Sequence, residues 1–236
     1  MSKKILAIIA SLLLVGVVFT ATPVCAQEEE GVSIGEVTDP GILPDSPFYF
    51  MKTWGRAVRS FFAFNNQERA ELALRFANED ALAIKALCDK GECQLAERHC
   101  ERFQERFQEA IRWTERAREE GKDVEGLVEK LKENQLRQQQ VLASLLEKAP
   151  EQAQEGILNA MVNSSFGLQN VVERVQGQQK MEQFREELNL QISNMGEETQ
   201  LQIQERLEAK HHEADEVPGG EPQQKGTGQQ NAGGNK

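Results

Sequence analysis

An all-α fold, built of antiparallel helical hairpins in an elongated, coiled-coil-like bundle, is what three features of this sequence predict. No proline lies between Pro47 and Pro150 or between Pro150 and Pro218, and both stretches are rich in Ala, Leu, Glu, Gln, Lys and Arg, the residues that lose least on entering a helix. Within them apolar residues recur at alternating intervals of three and four, which places them on one face of a helix. No period-two run of β-branched and aromatic residues occurs, so nothing predicts a strand.

The chain opens with Lys3 and Lys4, an apolar run from Ile5 to Phe19, and the small-residue site Val24-Cys25-Ala26, the three parts of a secretory signal. We expect residues 1–26 to be cleaved before Gln27, leaving an extracytoplasmic chain that is secreted or held in the cell envelope. Retention as an anchor is the alternative, because the apolar stretch barely reaches the roughly 17–25 residues that span a bilayer. A lipid-modified Cys25 is disfavoured: Val24 stands where a small residue would, and Thr22 where Leu is usual.

Residues 27–46 are acidic and punctuated by Gly and Pro, an irregular lead-in. Ser46-Pro47 then reads as a helix start, a hydroxyl cap followed by a proline whose missing N–H costs nothing in the first turn. Breaks at Asn65-Asn66, Gly91, Gly121, Ala149-Pro150 and Gly177 divide residues 47–213 into six helices: 47–64, 67–90, 92–120, 123–148, 150–176 and 178–213. The second carries the stripe Ala70, Leu74, Ala77, Ala81, Ile84 and Cys88. The third carries Cys93, Ala96, Cys100, Phe103, Phe107, Ala110, Thr114 and Ala117. Alanines on both stripes allow close approach, and Gly91 supplies the reversal, so 67–120 is expected to be a helical hairpin. Gln135 and Gln138 interrupt the apolar stripe of the fourth helix, which should loosen packing there. The last helix loses its rhythm near Gly196, and its end is expected to project alone or to pair with another chain as a homo-oligomer. In domain terms this gives a helical domain over 47–176, a C-terminal helix over 177–215 and a Gly/Gln-rich, disordered tail over 216–236.

The segment Pro40-Gly41-Ile42-Leu43-Pro44-Asp45-Ser46-Pro47-Phe48-Tyr49-Phe50, followed by Trp54, Phe61 and Phe62, resembles an exported family of unknown function, DUF5667. The similarity continues through 70–77 and 145–153 and covers most of 40–176. The resemblance implies an extracytoplasmic helical domain and brings no established catalytic residues.

Charge sets the first limit on function. The chain has 27 basic and 38 acidic residues, a net of −11, and losing Lys3 and Lys4 with the signal makes it −13. Such a chain has nothing with which to neutralise a phosphate backbone, so nucleic acid is not an expected partner. Catalytic patterns are missing as well. The histidines are His99, His211 and His212, and no nucleophile–base spacing, phosphate-binding glycine loop or His-Glu-x-x-His occurs. Glu208 and His211 form one Glu-x-x-His unit, where a di-iron bundle needs two and further inward glutamates, so a solvated face is expected. Asn163-Ser164-Ser165 matches a glycosylation acceptor. We therefore expect a non-enzymatic module without a cofactor, binding another protein or an envelope component.

Two places could carry specific chemistry. Cys88 and Cys93 flank the reversal at Gly91, a spacing that suits a hairpin-locking disulfide and leaves Cys100 as an odd thiol. The alternatives are three small buried hydrophobes on a seam, or a metal- or redox-sensing site in which His99 joins the three cysteines. The other place is the first helix, where Phe50, Lys52, Trp54, Arg56, Arg59 and Phe61 interleave aromatics and cations in a segment, Phe48 to Gln67, without an acidic residue. Such a helix can bind an anionic membrane surface or a partner. The expectation here is internal: the rings cover the open end of the hairpin and the cations meet the acidic body.

Overall fold

The computed structural model describes residues 33–146, 148–193 and 195–216; the expected signal over 1–26, the first residues of the lead-in and the Gly/Gln-rich tail beyond Glu216 lie outside them. The described residues form an all-α bundle of seven helices: α1 (Tyr49–Phe61), α2 (Asn66–Asp89), α3 (Cys93–Glu119), α4 (Glu125–Leu146), α5 (Glu151–Gln176), α6 (Gln178–Ser193) and α7 (Glu197–Glu216). None is long and apolar enough to cross a membrane.

Helix ends obey the local chemistry. Asn65 is the cap of α2, its side chain accepting the Glu68 N–H at 2.8 Å, while Glu68 turns back to accept the Phe64 N–H at 3.0 Å. That cap needs extended backbone at Asn65, which is why α1 stops at Phe61 and not at residue 64. At the other end α1 begins two residues after Pro47, because the first turn is a bend closed by Tyr49 N–H to the Ser46 carbonyl at 3.0 Å. α2 and α3 both end in the same device. Gly91 and Gly121 take φ of +81° and +75°, and the next N–H groups, of Glu92 and Lys122, reach back to Leu87 and Ala117. Only a residue without a Cβ adopts that backbone cheaply, so Gly91 fixes where α2 turns into α3 and Gly121 where α3 turns toward α4.

α2 and α3 pack along the two alanine-bearing stripes, with Ala70, Ala77, Ala81, Ala96, Ala110 and Ala117 all fully buried and Phe103 and Phe107 stacked between them at 6.0 Å. α5 is the central element, packing against α3, α4, α6 and α7. Burial of the Phe, Leu, Ile and Met side chains along these seams drives the assembly, at about 25 cal/mol per Å² of apolar surface.

Three expectations are corrected. The seam of α4 is not loosened by its glutamines. Gln135 and Gln138 are fully buried, Gln135 donating to Ser164 and Ser165 of α5 (2.9 and 3.2 Å) and Gln138 to Asn78 of α2 (2.6 Å). Gln139 adds bonds to the Met161 carbonyl and Ser165. The single helix expected over 178–213 is two, α6 and α7, divided before Glu197, and the chain end does not project alone: α7 returns along the bundle, burying Ile203 and Leu207, and Arg206 pairs with Glu155 at 2.7 Å. The lead-in is not wholly irregular. Ile34 and Val37 exchange backbone bonds (2.9 and 3.1 Å) around Gly35, and Ile34 is buried with its carbonyl held by Asn78. Gly35 has φ of +59°, and a Cβ there would run into the Asn134 carboxamide.

Candidate functional site

α1 is amphipathic with its faces reversed. Tyr49, Lys52 and Arg56 fall at helical spacing on the side toward the bundle, whereas Phe50, Met51, Trp54, Val58 and Phe61 fall on the other, with Phe62 exposed just past the helix end. The aromatic side faces solvent, with Trp54, Phe61 and Phe64 exposed to 75, 79 and 81 %. Phe61, Phe62 and Phe64 touch one another edge to face at 5.4 and 6.5 Å, a cluster at the helix end.

The cations explain the reversal. Arg56 is 7 % exposed and sends Nε and Nη2 to Glu79 (3.1 and 2.9 Å), Nη1 to Asp80 (3.1 Å) and Nη2 to the Phe76 carbonyl (3.3 Å). Its guanidinium also lies over the Phe76 ring, 4.9 Å from the centroid. Asp80 is fully buried, so the pair is locked in place: burial pulls the Arg56 pKa down, and Asp80 and Glu79 more than restore it, leaving it raised. Lys52 donates to the Pro40 carbonyl at 2.6 Å and lies 3.8 Å from Glu79; burial first, then Arg56, lowers its pKa against the pull of Asp80, Glu79 and Asp39. Two carboxylates on α2 have captured the polar side of α1. The rings are left outside as a consequence.

Of the six residues the sequence proposed for this face, Phe50, Trp54, Arg59 and Phe61 are exposed together. Lys52 and Arg56 are the inward latch. The expected capping of the hairpin by aromatic rings is therefore overturned, while the expected meeting of cations with the acidic body stands. Phe48, Met51, Val58, Phe62 and Phe64 enlarge the patch, and the spacing of three and four from Phe50 onward was the signal for them.

The cysteines take the first of the three arrangements their spacing allowed. Cys88 and Cys93 form a disulfide with Cα atoms 4.3 Å apart, and Cys100 is a buried free thiol. Burial, reinforced by Glu97 and Glu101, pushes its pKa up to about 12, so it stays protonated and unreactive at neutral pH. His99 is buried beside Tyr49, ring centroids 5.9 Å apart, with Nδ1 lacking a hydrogen-bond partner. Burial and then Arg102, Lys52, Arg56 and Arg98 depress its pKa from 6.5 to about 4. Among the described residues no three His, Cys, Asp or Glu side chains are placed to hold one metal ion. The cleft beside His99, about 380 Å³, is lined by Arg98 and Arg102 but equally by Glu97 and Glu101, so no ligand charge is selected.

Two further sequence features have structural partners. His211 lies 3.1 Å from Gln169 and edge-on to Phe166 at 5.1 Å, so it is a contact between α7 and α5 and not a solvated side chain. Asn163 donates to Gln104 at 2.7 Å and Ser165 is buried, which ties the glycosylation-like triplet into the packing of α5 on α3 and α4.

No curated protein and no solved structure matches this chain. A family model does match, over residues 41–152, from the turn before α1 to the first residues of α5. That segment matches the family described as Domain of unknown function (DUF5667).

Proposed function

We propose that this protein is an exported, non-enzymatic helical module of the cell envelope, and that it works by docking through the aromatic face of α1. The observation that carries this reading is the pairing of Arg56 with Glu79 and Asp80. It uses a buried ion pair to hold Phe50, Trp54, Phe61 and Phe62 outward. Monomeric proteins rarely keep a contiguous apolar patch in water unless something covers it. The bundle beneath supplies rigidity: α2 is fixed to α3 by the disulfide at one end and by buried alanines along its length. The sequence signal supports export, and the disulfide is the form cysteines take in an oxidising compartment.

A photo-crosslinking residue placed at position 54 or 61, with position 201 on the exposed part of α7 as control, tests this in intact cells. Adducts concentrated at 54 and 61 support a docking face. Equal or absent labelling at the three positions overturns it.

A further inference from the structure

We infer that the occupant of the α1 face is a lipid surface, with the helix lying in the membrane plane and its rings at the headgroup boundary; this rests on the reading of that face as a docking surface. The chemistry of the exposed side chains is the first argument. They are Phe, Trp, Met and Val, separated by Thr53, Gly55 and Ser60, with Trp54 offering one indole N–H. That combination suits the acyl–headgroup boundary, where an apolar body and a single polar handle are both satisfied. A 13-residue helix is about 20 Å long, and Phe62 and Phe64 continue its ring-bearing side past the end. The result is a ridge rather than a groove, a shape that sinks into a fluid surface without needing a complementary cavity.

Charge supplies the second argument. Three of the 27 basic residues and none of the 38 acidic residues lie between Phe48 and Gln67, so the remainder of the chain carries −14. Anionic headgroups repel that remainder and tolerate this one side, which orients the molecule before contact. The structure also changes what kind of membrane binder this is. Because Lys52 and Arg56 are turned to Glu79 and Asp80, Arg59 is the exposed cation of α1, and attraction to anionic lipid is a minor contribution. One cation changes affinity about five-fold between neutral and anionic membranes, whereas three would multiply that effect. Apolar insertion, set up in advance by the latch, carries the rest.

The test uses the full chain and its two tryptophans. Trp113 sits half-buried between Arg69 and Arg116 and is replaced in Trp113→Phe, leaving Trp54 as the reporter; Trp54→Phe leaves Trp113 as the control. On phosphatidylcholine vesicles containing brominated acyl chains, the inference expects Trp54 to shift to the blue and be quenched while Trp113 is not. Adding phosphatidylglycerol should raise affinity by no more than about five-fold. Phe61→Glu, at an exposed position that leaves the fold intact, should weaken the Trp54 response at least about ten-fold. No quenching of Trp54 on vesicles to which the chain is bound overturns the inference, as does binding that depends steeply on anionic lipid. If Trp54 is silent on lipid but crosslinks from positions 54 and 61 reach a protein, the lipid inference fails and the docking face stands. A dimer dissolved by Phe61→Glu assigns the face to a second copy and likewise overturns lipid. Silence in both experiments removes the docking face itself.

Discussion

α1 and α3 are made of the same materials and use them in opposite directions. Each interleaves phenylalanines with arginines; α3 buries Phe103 and Phe107 completely and leaves Arg98 and Arg112 outside, while α1 buries Arg56 and exposes Phe50 and Phe61. The difference lies in what α2 offers each of them. Toward α3 it presents Ala77, Ala81 and Ile84, and toward α1 it presents Glu79 and Asp80. A helix whose own amphipathicity is ambiguous takes its orientation from its neighbour, and a buried carboxylate prevails over apolar rings because leaving it unpaired costs more than exposing them.

That comparison can be broken from either side. Phe107→Ala should cost about 3–5 kcal/mol in urea unfolding, the range for emptying a packed aromatic site. Arg56→Ala should cost a similar amount, about 3–5 kcal/mol, by leaving the fully buried Asp80 unpaired. Adding Asp80→Leu to Arg56→Met should recover most of that loss, since an apolar pair of similar volume removes the stranded charge; failure to recover would mean that the charges do more than pair.

The pH dependence comes next in size. His99 binds a proton near 6.5 when unfolded and near 4 when folded, so between those values the unfolded state holds more protons. Stability from this group is therefore complete above about pH 6.5 and is lost as the pH falls to 4, by about 3 kcal/mol in all. A His99→Leu chain should lack that part of the acid slope in unfolding curves taken at successive pH values. Because His99 packs on Tyr49, the foot of α1 should loosen first.

Trp54→Ala with Phe61→Ala is expected to have the smallest effect. The same kind of truncation that is severe at Phe107 should move stability by no more than about 0.5 kcal/mol here, because these rings touch mainly solvent. A loss of several kcal/mol would mean that the rings are packed, and the contrast between the two helices would disappear.

How much of this was legible in the sequence depends on the range of the interactions. The hairpin of α2 and α3, its turn at Gly91 and the Cys88–Cys93 bridge depend on residues a few positions apart; their spacing gave the hairpin and its turn and made the bridge the first of three readings. The direction of α1 depends on Glu79 and Asp80, more than twenty positions away on another helix, and its own periodicity is satisfied equally well either way round. The polar seam failed to register for the same reason. Gln138 looks like a defect until Asn78, sixty residues distant, is placed beside it. The return of α7 was hidden because its charges suit a solvated face; Arg206 finds Glu155 only once Gly196 has turned the chain.

The glutamine seam has a consequence for where this domain can be said to end. Gln135 and Gln139 of α4 find Ser164, Ser165 and the Met161 carbonyl on α5, beyond the last residue that the family model covers. A chain terminated at residue 152 would keep the whole matched segment and strip those donors of their acceptors, together with the helix that covers α3 and α4. The recognisable stretch and the unit able to stand alone in water are therefore different objects. The boundary of the second lies at least a helix further on, and anyone who expresses the first by itself should recover aggregates.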